Sequence, residues 1–178
     1  MTHAWWLASR SAGIVAMLAV TTSVVLGLVM ANRLVPARRV RGLHEQTALV
    51  GLVAIAVHGL TLLGDPWLHP GAAGITIPFT MGYRTLWTGL GVVGAWLAAA
   101  LGLSFYARRR IGPARWRRLH RATALVYVLA LVHALGAGTD AGSPWLRGVL
   151  AASILPVAAL LGLRLAGRPA REVGRARA

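Results

Sequence analysis

Few residues in this chain are equipped to do chemistry, and the ones that are come in pairs. His44 and His58 lie in LHEQTALVGLVAIAVHG (43–59), and His120 and His133 lie in LHRATALVYVLALVHA (119–134). Both segments begin Leu-His, continue to Thr-Ala-Leu-Val and reach a second histidine after an apolar run. An ionisable side chain inside such a run is costly and marks a functional site. Neutral imidazole is a good ligand for iron, and its second ring nitrogen can be steered by a neighbouring hydroxyl or carbonyl. The absence of cysteine excludes disulfides and thiolate metal sites. Asp65 and Asp140 fall in loops and Glu45 at a boundary, so no carboxylate stands among the histidines to relay protons.

The elements that must position these residues are membrane helices. The 178 residues are 57% hydrophobic and 13% charged, with a mean hydropathy of +0.64. A soluble domain is nearer half apolar and a quarter charged. A bilayer core takes about 20 apolar residues as helix. Five segments qualify, at about 11–31, 43–63, 86–105, 119–135 and 146–165. The expected fold is therefore an all-α integral membrane protein, a single bundle of five transmembrane helices. Residues 64–85 form a Pro/Gly-rich loop between the second and third spans, "GAGTDAGSPW" is a short turn, and 166–178 is an Arg-rich tail.

The net charge of +15 comes from arginine alone, and its distribution reads as topology rather than as nucleic-acid binding. All but three of the 19 basic residues fall in the first connection, the third connection and the tail; Arg10, Arg84 and Arg147 are the exceptions. The positive-inside rule then puts the N-terminus outside and the C-terminus in the cytoplasm. No small-x-small cleavage site follows the first apolar stretch, so it is expected to be a retained helix in the plasma (inner) membrane, in a bacterial setting.

With that topology the second and fourth helices run the same way. His44 and His120 sit toward the cytoplasmic face, His58 and His133 toward the outer face, about 20 Å apart along each axis. Two imidazoles at matching depth on neighbouring helices suit a six-coordinate haem iron, and two such sites stacked through a membrane would carry electrons. The fourteen-residue step from His44 to His58 falls about 40° short of four turns, so the two share a face. The thirteen-residue step from His120 to His133 leaves them about 140° apart on an ideal helix, so His133 is the ligand that pattern alone does not place.

The doubled spacing, together with WRRLHRATALVYVLALVH (116–133), resembles the ferric reductase-like transmembrane family over residues 41–135. That family includes the membrane domains of NADPH oxidases and ferric reductases, and the haem-bearing subunit of a periplasmic methionine sulfoxide reductase system. The resemblance implies two b-type haems, one on His44 and His120 and one on His58 and His133. It also implies electron flow from a cytoplasmic flavoprotein or a quinol to an outer acceptor. Larger members add a flavin and nicotinamide domain; here about a dozen residues follow the fifth span with no Gly-rich phosphate loop, so neither flavin nor NAD(P) is expected in this chain. Five spans rather than six is a second departure. The rival readings are a non-catalytic haem-binding subunit of a larger redox complex, and a membrane protein whose histidines bind zinc or iron directly.

Around the ligands, haem carboxylates would call for arginine. Arg84 and Arg147 are the outer candidates, and Arg41, Arg118 and Arg121 the inner ones. Thr47 and Thr123 follow the inner histidines by one turn and could bond a haem edge or a preceding carbonyl. Gly51 lies between the two histidine levels, where a small residue would make room for a porphyrin; Gly91 and Gly94 would let helices approach closely. Trp5, Trp6, Trp67, Trp87, Trp116 and Trp145 fall near predicted interfaces, where an aromatic belt accounts for them. His3 and His69 lie outside the spans and carry no assignment.

Overall fold

Residues 3–166 are described by a computed structural model, and they form helices and turns without a strand. The tail arginines Arg168, Arg171, Arg175 and Arg177 lie outside the described residues. Seven helices run in the order α1 (Ala4–Ala31), α2 (Ala37–Leu62), α3 (Gly71–Thr76), α4 (Thr85–Ile111), α5 (Pro113–His120), α6 (Thr123–Ala137) and α7 (Pro144–Ala166). Five units are long and apolar enough to cross a bilayer: α1, α2, α4, the α5–α6 pair and α7. These are the five expected spans, several of them longer than their apolar cores. The helices run on into polar sequence, as α4 does through Arg108, Arg109 and Arg110. Large apolar side chains such as Leu49, Leu60, Leu103 and Leu155 are exposed along the outside of the bundle, as a lipid-facing surface requires.

Small residues set the closest packing. The α1–α2 hairpin brings its helices together over Ala12, Ala16, Ala19, Gly51 and Ala54, all buried. A Cβ on Gly51 would meet Val20 Cγ2 at 3.2 Å and Ala19 Cβ at 3.7 Å. Gly51 thus faces α1, and its small size serves helix–helix approach rather than opening space between the histidine levels. The second close pair is α4 with α6, where Gly94 lies against Leu129. α7 packs on α1 and is tied to it at the arginine-rich end. There Asn32 Nδ2 donates to the Leu160 carbonyl (2.8 Å) and an Arg164 terminal nitrogen donates to the Ala31 carbonyl (2.7 Å). The Ala31 carbonyl is one that the end of α1 leaves open.

Two small apolar clusters fill the middle. One joins Met17, Tyr127 and Leu150, with the Tyr127 hydroxyl 3.0 Å from Ser153 Oγ. The other joins Ala98, Leu101 and Val126, with Leu52 and Ile55 of α2 against it. Val20 packs on both.

The fourth span is broken. α5 ends at His120, two turn residues follow, and α6 begins at Thr123. Here the bonds run to the third residue back: Ala122 N–H to Leu119 (2.9 Å), Ala124 N–H to Arg121 (3.3 Å) and Leu125 N–H to Ala122 (2.9 Å). This winding advances each residue by about 120° instead of about 100°. Three such residues recover roughly 60° of the roughly 140° by which an ideal helix would misplace His133.

The 64–85 connection, read from sequence as a loop, contains α3 and folds back over the bundle end. Asp65 is buried and accepts from the backbone N–H groups of Trp67 (2.9 Å) and Leu68 (3.1 Å). Trp96 Nε1 on α4 donates to the Thr76 carbonyl (2.7 Å), which pins α3 to the bundle.

Candidate functional site

The four histidines meet in two pairs. His44 faces His120 with ring centroids 6.0 Å apart and planes at 86°; His58 faces His133 at 6.1 Å and 77°. His133, the residue that helical phase did not place, stands opposite its expected partner. α2 and α6 are not among the closely packed helix pairs, so the imidazoles face each other across a gap between the two helices.

Each ring on α2 is held the same way. His44 Nδ1–H donates to the Ser23 carbonyl at 2.8 Å, and His58 Nδ1–H donates to the Ser9 carbonyl at 2.8 Å. The two serine hydroxyls lie 3.2 and 3.0 Å from the same nitrogens and donate back to the His44 and His58 carbonyls, at 3.5 and 3.1 Å. One turn on, Thr47 and Thr61 bond the carbonyls of His44 and His58, both at 3.1 Å. Gly27 lies under the His44 ring and Gly13 under the His58 ring, where a Cβ would come within 3.5 and 3.1 Å. Ser9 and Ser23, Gly13 and Gly27, His44 and His58, and Thr47 and Thr61 are all fourteen residues apart. The hairpin therefore carries one cradle twice, about four helical turns apart. The α1 half was missed in the sequence, although its fourteen-residue spacing matches that of the histidines it serves.

The opposite side is not duplicated. His133 Nδ1–H donates to the Trp87 carbonyl on α4 (2.9 Å), and Gly91 gives the ring its room: a Cβ there would run into the imidazole. His120 Nδ1 is buried and has no hydrogen-bond partner among the described residues. Its ring lies flat on Trp116, centroids 4.8 Å apart and planes at 22°, and the Trp116 indole N–H donates to Ser104 Oγ (3.1 Å). Trp87 and Trp116, read from sequence as interface anchors, thus touch the histidine pairs directly. Thr123 bonds the His120 carbonyl at 2.8 Å.

A carbonyl that accepts from Nδ1 holds the proton there and leaves Nε2 as a bare lone pair, which is how metal-bound histidine is commonly set. Three of the four rings have this arrangement. A metal bonded at about 2 Å to one ring nitrogen of each partner would separate the ring centres by about 6 Å. Both pairs have that spacing. Among the described residues, no group of three or more His, Cys, Asp or Glu gathers into a metal site.

A cavity of about 900 Å³ opens around the His58–His133 pair, within the usual range for a small-molecule or cofactor site. Gly13, Gly91, Val92 and Ala95 line its sides, and Val20, Ile55 and Val126 border it toward the bundle middle. Trp67, Met81 and Tyr83 of the folded-back loop border it at the bundle end. Its walls are chiefly apolar.

The other expected site residues are spread out. Arg84 caps α4 in the left-handed region (φ 44°); one terminal nitrogen donates to the Gly136 carbonyl (2.6 Å) and the guanidinium lies over Tyr83. Arg147 donates to the Ala141 carbonyl at 3.1 Å. Both are exposed, and neither lines the cavity. Arg41, Arg118 and Arg121 are exposed near the His44–His120 end.

No family model, curated protein or solved structure matches the chain.

Proposed function

We propose that this chain is a di-haem b-type membrane cytochrome, similar to the ferric reductase-like family, that carries electrons between the two faces of a bilayer. The observation that carries the reading is the pair of facing imidazoles at each of two levels, 6.0 and 6.1 Å apart. A bare zinc ion asks for about four protein donors, whereas each pair supplies two, the number of axial positions on a haem iron. Haem, when bound, supplies a one-electron couple at each level. The chain's part is to hold the rings. Ser23, Ser9 and Trp87 keep Nδ1 protonated on His44, His58 and His133, Trp116 orients His120, and the glycines keep the space beside the rings clear.

In this reading the arginine-rich end faces the cytoplasm of a bacterial cell. A separate flavoprotein or a quinol donates there, and an acceptor waits at the opposite face. A haem held by two imidazoles at each level would serve electron transfer, because His44 with His120 and His58 with His133 would leave no position for a small ligand at iron.

The test is an absorption spectrum of the purified full chain with haem quantified per polypeptide. Two haems per chain are expected, with low-spin bands that sharpen on dithionite and fall by about half in His58→Ala or His44→Ala. A colourless protein, or one carrying stoichiometric zinc, would overturn the proposal. Rapid haem reduction by a quinol or a flavoprotein reductase separates an electron carrier from a passive haem-binding subunit.

A further inference from the structure

The three arginines away from the arginine-rich end are not equivalent. Arg84 and Arg147 are exposed, each holds a backbone carbonyl through one guanidinium nitrogen, and neither lines the cavity. Arg10 alone lines the cavity around His58 and His133. It follows Ser9, whose carbonyl holds the His58 ring, so the same turn of α1 that orients the imidazole delivers the cation. Its guanidinium carbon lies 5.0 Å from the Trp6 ring centre and 5.6 Å from that of Trp145, with Nε 2.6 Å from Asp140 Oδ2. Two indoles and one carboxylate lie beside this fork; Nε, although close to Asp140, has no hydrogen-bond partner among the described residues. No hydrogen bond to the described residues engages the two terminal nitrogens, and a pair of guanidinium N–H groups can bind a carboxylate bidentately.

We infer that Arg10 is the anchor for the peripheral carboxylates of the group held between His58 and His133, and that Asp140 is a positioning residue that aims it. This rests on the haem reading above and assigns a carboxylate site that the arginines singled out from sequence do not provide. The two carboxylates bordering the cavity are engaged elsewhere. Asp65 has its carboxylate turned to the Trp67 and Leu68 N–H groups, and Asp140 is already paired. The group is thereby oriented, with its charged edge toward Trp6 and Trp145 and its apolar edge among Val92, Ala95 and Val126.

The test uses the full chain in detergent with His44→Ala, so that only the His58–His133 pair binds. Haem b and its dimethyl ester, which lacks the two negative charges, are titrated into the apoprotein. Haem b is expected to bind about tenfold or more tighter than the ester, in line with a charge-assisted hydrogen bond. Arg10→Gln should abolish that preference by weakening haem b alone, and Arg10→Lys should restore part of it. An unchanged preference in Arg10→Gln, or equal binding of both compounds by the Arg10 chain, would overturn the inference. If neither compound gives a low-spin spectrum, the haem reading itself fails. Low-spin absorbance from the His44–His120 pair in Arg10→Gln with His44 intact shows that the variant folds.

Discussion

The Trp116 indole lies flat on the His120 imidazole at 4.8 Å, and that ring alone among the four has no acceptor for Nδ1 among the described residues. The other three donate to backbone carbonyls at 2.8, 2.8 and 2.9 Å. A carbonyl that accepts from Nδ1 makes the imidazole a stronger donor to metal and favours the oxidised iron.

The two levels should therefore differ in potential. In the di-haem reading a haem held by His58 and His133 would have two such rings, and one held by His44 and His120 would have one. The latter is expected to take its electron first in a reductive titration. His44→Ala should remove the higher-potential step and His133→Ala the lower one; the reverse assignment would contradict the ligand argument. Electrons moving toward the opposite face would then climb between the two haems and be drawn on by the acceptor.

The ring planes make a separate prediction. At 86° and 77° the two imidazoles of each pair are close to perpendicular, so π donation falls almost equally on two iron orbitals. In the di-haem reading both ferric haems are expected to give highly anisotropic low-spin EPR signals. An ordinary rhombic spectrum from either would mean that its rings lie closer to parallel.

Glycine substitutions should separate the levels. A methyl group on Gly91 would run into the His133 ring, so Gly91→Ala is expected to lose absorbance from that pair and keep the other. Gly27→Ala would place its Cβ at 3.5 Å from the His44 ring, an ordinary contact, and should keep both. Haem content per chain, measured alongside the redox titration, checks the contrast.

Ser9→Ala and Ser23→Ala should be mild. The acceptor for each ring is the serine carbonyl, which survives the change; what is lost is the hydroxyl bond to the histidine carbonyl. Thermal unfolding should show a loss of about 1 kcal/mol at each site with the haem spectrum retained. Loss of haem from either variant would assign the hydroxyl a direct part in holding the ring.

How far this was legible in the sequence depends on the element. The five spans and the pairing of His44 with His120 follow from hydropathy and spacing, because a lipid-facing helix must be apolar over its whole length. His133 was out of phase because the break at Arg121 and Ala122 contains neither proline nor glycine; it shows only in hydrogen bonds that tighten by one residue. Sequence places Gly51 at the depth between the histidine levels, but depth does not tell which neighbour a face meets, and its neighbour is α1. Ser9, Gly13, Ser23 and Gly27 were overlooked because their role is to present a backbone carbonyl or an empty space, and neither is a property of a side-chain type.

The duplicated cradle also bears on how the protein is made. α1 and α2 leave the ribosome before α4 to α7, and their hairpin already contains the carbonyls that orient His44 and His58 together with the glycines beside those rings. Two half-sites can thus be ready in the membrane before α4 to α7 arrive to supply His120 and His133. In the di-haem reading the gap between α2 and α6 would be closed by the cofactor, and its insertion would become a step of assembly. Starving cells of haem during synthesis is accordingly expected to yield a protease-sensitive chain, with cleavage concentrated after α2.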